Sequence, residues 1–164
     1  MPDTPEGIPA ADAQAYEEYL REQGTNIEEL SKRRLAELDE LFEDYQTIDH
    51  DIRVREYELD HPIPEQDDNI GGGRSTVIAR PQERIAIKRD DDRRLQFLYK
   101  LKQDCATVVA MMDESQYSLY QLRYQHSGYY NWPEVAYQLH ISKAVIYRKR
   151  YALLSLLAKQ RGII

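Results

Sequence analysis

Between Asn131 and Ser142 the chain carries two helix-starting signals only eleven residues apart, which leaves room for one short helix, a turn and a second helix. In Asn131-Trp-Pro-Glu134 the asparagine can cap first-turn amides, Glu134 can reach back to close a capping box, and Pro133 fits only a first turn. Val135, Ala136 and Leu139 give that helix an apolar face. His140-Ile141-Ser142 then interrupts it, with Ile141 expected to point into the core and Ser142 to cap the next helix. On the second helix Ile146, Leu153, Leu154 and Leu157 recur on one face, which predicts that Lys143, Ala144, Tyr147, Arg148 and Tyr151 face outward.

That outward face has the chemistry a DNA major groove requires. A small residue lets the helix approach, Lys and Arg donate to guanine edges or phosphates, and Tyr reaches a phosphate or a thymine methyl. Double-stranded DNA is therefore the expected partner, met by Ser142, Lys143, Ala144, Val145, Tyr147, Arg148 and Tyr151, with Lys149 and Arg150 as phosphate contacts. The same pattern also suits a helical hairpin packed into a larger bundle, its charges merely solvated.

The net charge of -7 argues against nucleic acid until its distribution is read. Residues 1–68 hold 21 acids against 6 bases, a balance of -15, whereas residues 69–112 and 113–164 each carry +4. An acidic front with a basic end fits a protein that touches DNA with one module and itself or another protein with the other.

Residues 1–9 hold three prolines and a glycine and read as an unstructured lead, followed by a short amphipathic helix around Ala10–Gln23 that Gly24 ends. From about Asn26 to Asp60 the pattern is long and helical. Leu38, Leu41, Tyr45, Ile48, Ile52 and Leu59 follow alternating three and four spacings, with Arg55 the one misfit. Two arrangements satisfy that stripe: self-association as a coiled coil, or packing on the chain's own helices. Glu37, Asp39, Glu40, Glu43 and Asp44 beside it read as a solvated face, with the docking of a basic partner surface as the alternative.

His61-Pro-Ile-Pro64 stops the helix, and a linker runs through Gly71-Gly-Gly-Arg-Ser75. No Gly-Lys-Ser/Thr ending is present, so the glycines read as a hinge rather than a nucleotide loop, with Arg74 and Ser75 available to clamp a DNA phosphate. A second long helix is predicted from about Pro81 to Met112, and its bases are suited either to DNA backbone or to pairing with the acidic half. Asp113 and Gln116 form another capping box, opening a helix with Tyr117, Leu119, Tyr120, Leu122 and Tyr124 that Gly128 ends.

The chemistry of catalysis is thin. One cysteine, Cys105, excludes an internal disulfide, and with four scattered histidines it makes a zinc site an unpromising reading. No nucleophile-base-acid order appears, and His126 and His140 read as turn residues, so no enzyme, metal or cofactor is expected. No long apolar run exists and the N-terminus lacks the order of a signal peptide, so the expected location is cytoplasmic, with no membrane partner.

Assembled, Asp113-Glu-Ser-Gln-Tyr-Ser-Leu-Tyr-Gln-Leu-Arg-Tyr124, Trp132-Pro-Glu-Val-Ala136 and Ile141-Ser-Lys-Ala-Val-Ile-Tyr-Arg148 resemble the promoter-reading C-terminal domain of primary-type sigma factors. Together with Tyr45–Leu59 and Gly71–Ser75, the wider arrangement resembles the RinA/ArpU-type transcriptional regulators of phages and prophages. This resemblance implies an oligomeric activator of late genes that binds promoter DNA and cooperates with host RNA polymerase. It also implies that Ser142, Lys143, Ala144, Val145, Tyr147 and Arg148 occupy recognition-helix positions. Where sigma factors often carry a charged pair at the start of that helix, Lys143 is followed here by Ala144 and Val145, so the target sequence does not carry over.

The fold expected is all-α: long N-terminal helices, coiled-coil-like or as a helical hairpin, and a C-terminal sigma-like helix-turn-helix. The boundaries expected are 1–60 for an acidic interaction region, 61–83 for the linker and 84–164 for the DNA-binding part. A small terminase subunit, which also joins a helix-turn-helix to an oligomerising helical domain, is the alternative function; such subunits commonly carry the DNA-binding module first.

Overall fold

The computed structural model describes residues 30–63, 81–125 and 130–164. Among them are six α-helices and no strand: α1 (Lys32–Asp60), α2 (Pro81–Asp91), α3 (Arg93–Met111), α4 (Glu114–Tyr120), α5 (Trp132–Gln138) and α6 (Lys143–Gln160). A π-helical turn, Gln121–Gln125, extends α4. The expected lead, the helix around Ala10–Gln23, most of the linker and the Gly128 stop lie outside the described residues.

Two compact units divide the chain, one of residues up to Gln46 with Gln103–Ile164 and the other of Thr47–Lys102. This grouping departs from the boundaries the sequence suggests, because α1 contributes its first half to one unit and its second half to the other.

In the first unit, Leu35, Leu38 and Phe42 of α1 are buried, as are Cys105 and Val108 of α3 and Ile146, Leu153, Leu154 and Leu157 of α6. An aromatic cluster fills the space beside Phe42. Its ring lies 5.6 Å from Tyr120 and 5.1 Å from Tyr124, and Tyr124 meets Trp132 edge to face at 6.1 Å. Such offset and T-shaped pairs suit the ring quadrupoles, and they give Tyr120 and Tyr124 a packing role.

The second unit buries Ile48 and Ile52 of α1 with Leu95, Leu98 and Leu101 of α3. Leu38, Ile48 and Ile52, half of the periodic stripe, are thus covered by the chain itself, and Leu41, Tyr45 and Leu59 are half-buried. Cross-helix ion pairs surround this core. Lys102 Nζ lies 2.6 Å from Asp49, Arg89 grips Asp60 at 2.6 and 3.2 Å, and the Tyr99 hydroxyl donates to Glu56. Arg89 and Lys102, two of the bases in the predicted 81–112 helix, therefore pair with the acidic helix.

The predicted single helix over 81–112 is broken at Asp92. Asp92 accepts the Leu95 amide at 2.7 Å, which starts α3 afresh, and Arg55 holds the same carboxylate through two bonds of 2.6 and 3.1 Å. A short acidic side chain that satisfies an orphan amide competes with helical continuation, and the arginine fixes it in that role.

Candidate nucleic-acid interface

Each helix of the C-terminal region begins on a side chain that satisfies its first amides. The Asp113 carboxylate accepts from Gln116 N at 2.8 Å while Gln116 Oε1 accepts from Asp113 N at 3.1 Å. Asn131 and Glu134 repeat the arrangement at 2.9 and 2.7 Å, and Ser142 Oγ accepts from Val145 N at 3.3 Å. These are the three caps the sequence announces, and Pro133 sits in the first turn of α5 as expected.

The turn between α5 and α6 closes with two crossed bonds, His140 N to Tyr137 O at 3.2 Å and Ile141 N to Ala136 O at 3.0 Å. His140 adopts φ 55°, the left-handed conformation this ending requires and that glycine usually supplies. The end of α6 uses the same device with Gly162 at φ 69°, where Ile163 N donates to Ala158 O at 2.8 Å. Two helices are thereby joined by a short connection with little slack.

Beneath them lies a charged network. Asp39 of α1, expected on a solvated face, is instead 6% exposed. Its carboxylate accepts from the Tyr124 hydroxyl, from Trp132 Nε1 at 3.2 Å and from Arg150 Nε and Nη2 at 2.9 and 2.5 Å. Arg150 also lies 5.8 Å from the Trp132 ring, and Arg123 approaches the other aromatic neighbours, 5.0 Å from Tyr124, with Glu43 as its ion-pair partner at 2.6 Å. Burial, reinforced by Asp39, pushes the Tyr124 hydroxyl well above its ordinary range, so it stays a donor. A buried carboxylate is tolerated because every side of it is bonded.

The structure sorts the predicted contact residues. Ser142 and Lys143 are exposed; Val145, Tyr147 and Arg148 are half-buried on the accessible surface of α6. Ala144 and Tyr151 correct the expectation, since they are only 2% and 4% exposed and pack inward. The covered arc of α6 is wider than its leucines alone indicate, because Ala144, Tyr151, Ser155 and Ala158 join it. Arg150 is likewise corrected: Asp39 holds the guanidinium that the sequence offers to a phosphate. Lys149 donates to Ser115 Oγ at 3.0 Å, while Arg74 and Ser75 lie outside the described residues.

The less covered side of α6 therefore runs Val145, Arg148, Ala152, Leu156 and Lys159. Part of it borders a cleft of about 360 Å³ lined by Asp113, Ser115, Gln116, Leu119, Val145, Arg148, Lys149 and Ala152. On α5 the sequence reading misses Tyr137, which is 77% exposed. Its position away from Val135, Ala136 and Leu139 was the available signal.

Among the described residues no group of three His, Cys, Asp or Glu side chains is placed to hold a metal ion, and no helix is long and apolar enough to cross a membrane. No curated protein and no solved structure matches the chain. A family model described as a protein of unknown function (DUF722) matches residues 35–159, from the first turn of α1 to the last of α6, and the chain belongs to that family.

Proposed function

We propose that the protein is a sequence-specific DNA-binding transcriptional activator, of the kind that switches on phage or prophage late genes with host RNA polymerase, in which α5, its turn and α6 act as a helix-turn-helix. The observation that carries this reading is the pairing of a tightly capped α5–α6 corner with a cationic first half of α6. Across residues 132–160 Glu134 is the single acid, against Lys143, Arg148, Lys149 and Lys159, with Arg150 already paired to Asp39 beneath the helix. Glu134 is drawn to its own helix terminus by the Asn131 amide.

Within this reading Lys143, Tyr147 and Arg148 meet the base edges or the flanking phosphates, Ser142 presents the start of the helix, and Val145 offers an apolar contact to a thymine methyl. Lys149 supports the backbone contact beside Ser115. Ala144, Arg150 and Tyr151 fix the angle of α6 from beneath and leave the contact set.

Fluorescence anisotropy with a promoter fragment and with random duplex tests the proposal. Binding should be tighter on the promoter and weaken with salt, and Lys143→Ala or Arg148→Ala should cost about 1–3 kcal/mol for a base contact. Equal affinity for random DNA at physiological salt would sink it. A ring of eight or more subunits selecting the end of a genome, with no effect on transcription, would move the chain to DNA packaging instead.

A further inference from the structure

The helix α1, with His61 just past its end, carries a second stripe on another face than Leu38–Leu59. Thr47, His50, Val54, Tyr57 and His61 recur at spacings of three, four, three and four, and all five are exposed. Val54 is 41% and Tyr57 65% exposed, while Ile48 and Ile52 are buried on the opposite side of the same segment. The Tyr57 and His61 rings stack at 4.2 Å, with His61 Nδ1 3.1 Å from the Tyr57 carbonyl, so the end of the stripe is a flat aromatic ledge. Spacings of three and four mark one face of any helix; what distinguishes this one is the apolar and aromatic surface that Val54, Tyr57 and His61 turn to solvent on it.

The charges beside the stripe select the partner. With Thr47, Val54 and His61 as the first core position of each heptad and His50 and Tyr57 as the second, Arg53 and Glu58 fall on the two flanks. In a parallel pair of α1 helices the flank position of Arg53 faces that of Glu58 in the other copy, and two-fold symmetry makes the contact twice. An antiparallel pair instead sets the Asp51 and Glu58 flank against itself, acid against acid. Both flanking charges already have local bonds, Arg53 Nε to Asp49 O at 3.2 Å and Glu58 to Arg55 at 2.8 Å, which hold them along the helix.

We propose that this exposed face of α1 is a parallel, in-register interface between two copies of the chain. Thr47, His50 and His61 are polar at the seam, which favours one register at a cost in stability and makes the pair a weak one. The inference stands apart from the DNA-binding reading, since none of its residues belongs to α5 or α6.

Sedimentation equilibrium of the full chain tests it, with circular dichroism as a control for folding. The protein should pass from monomer to dimer at concentrations up to roughly 0.1 mM, and Tyr57→Glu or Val54→Lys should weaken the dimer about tenfold or more without loss of helicity. Arg53→Glu should weaken it as well, and Arg53→Glu combined with Glu58→Arg should restore it. A monomer throughout that range, a dimer indifferent to Tyr57→Glu and Val54→Lys, or a charge swap that restores nothing would each overturn the proposal.

Discussion

The guanidinium of Arg150 closes on the carboxylate of Asp39 through two bonds, 2.5 and 2.9 Å, linking residues that are 111 positions apart. Both side chains are mostly covered, at 19% and 9% exposure. The pair ties the first half of α1 to α6; Trp132 Nε1 lies against both carboxylate oxygens, and the Tyr124 hydroxyl donates to the oxygen that Arg150 leaves open.

Removing one member alone leaves the other charge stranded. Asp39→Ala should destabilise the first unit by roughly 3–5 kcal/mol, the usual cost of orphaning half of a buried pair, as read by urea unfolding. Asp39→Leu combined with Arg150→Leu should cost clearly less than Asp39→Ala. A loss no larger than that of an exposed pair, as in Glu37→Ala, would refute the role of this network.

His140 and Gly162 occupy equivalent ends of α5 and α6, one with a side chain and one without. His140→Gly should therefore raise stability by roughly 1 kcal/mol by relieving the left-handed backbone. Gly162→Ala should lower it by about 1–2 kcal/mol. An added Cβ at Gly162 meets nothing within 4 Å, so any loss there reports backbone strain alone. Thermal unfolding of the two variants checks both signs.

Asp92 couples the second unit to pH. The bond from Arg55, with help from the Leu95 amide, holds its carboxyl down to about 2. A carboxyl with a lower pKa when folded contributes stability above its unfolded value near 3.8, and that contribution disappears as pH falls toward about 2. The thermal midpoint should consequently drop more in the native chain than in Asp92→Asn between about pH 5 and about pH 2.5. Arg55→Gln should shrink the drop, and identical pH profiles for all three chains would count against the linkage.

Cys105 is completely buried, and burial pushes its thiol up to about 12. Since the thiolate is the reactive form, a chromogenic disulfide reagent at neutral pH should modify the folded protein slower than the urea-unfolded chain by roughly a hundredfold or more. Comparable rates in the two states would mean that the first unit opens readily around α3.

The starts of α4, α5 and α6 were legible because each is written locally: Asp113 with Gln116, Asn131 with Glu134, and Ser142 alone carry their own bonding partners within three residues. The stripe of Leu38, Ile48 and Ile52 was equally legible as a buried face, since periodicity reports burial. It does not report what does the burying, and self-covering and self-association looked alike.

Asp39 was not legible. An acid among Glu37, Glu40 and Glu43 carries no local sign that donors 85, 93 and 111 residues away will converge on it. Arg150 misled for the same reason: its side chain suits a DNA surface, and only the position of Asp39 on α1 turns it into an internal partner. The Asp92 break escaped notice because the helical period continues through Leu95 and Leu98, and a cap that also serves Arg55 leaves that period intact.

The helix α2 holds no buried residue, and Arg89 ties it to Asp60 and Glu56 of α1. An element fastened by surface charge rather than by packing opens at little cost, and salt screens what holds it. Its amide protons should accordingly exchange with deuterated solvent well before those of α3, and raising the ionic strength should speed α2 while leaving the amides around Leu95 and Leu98 slow.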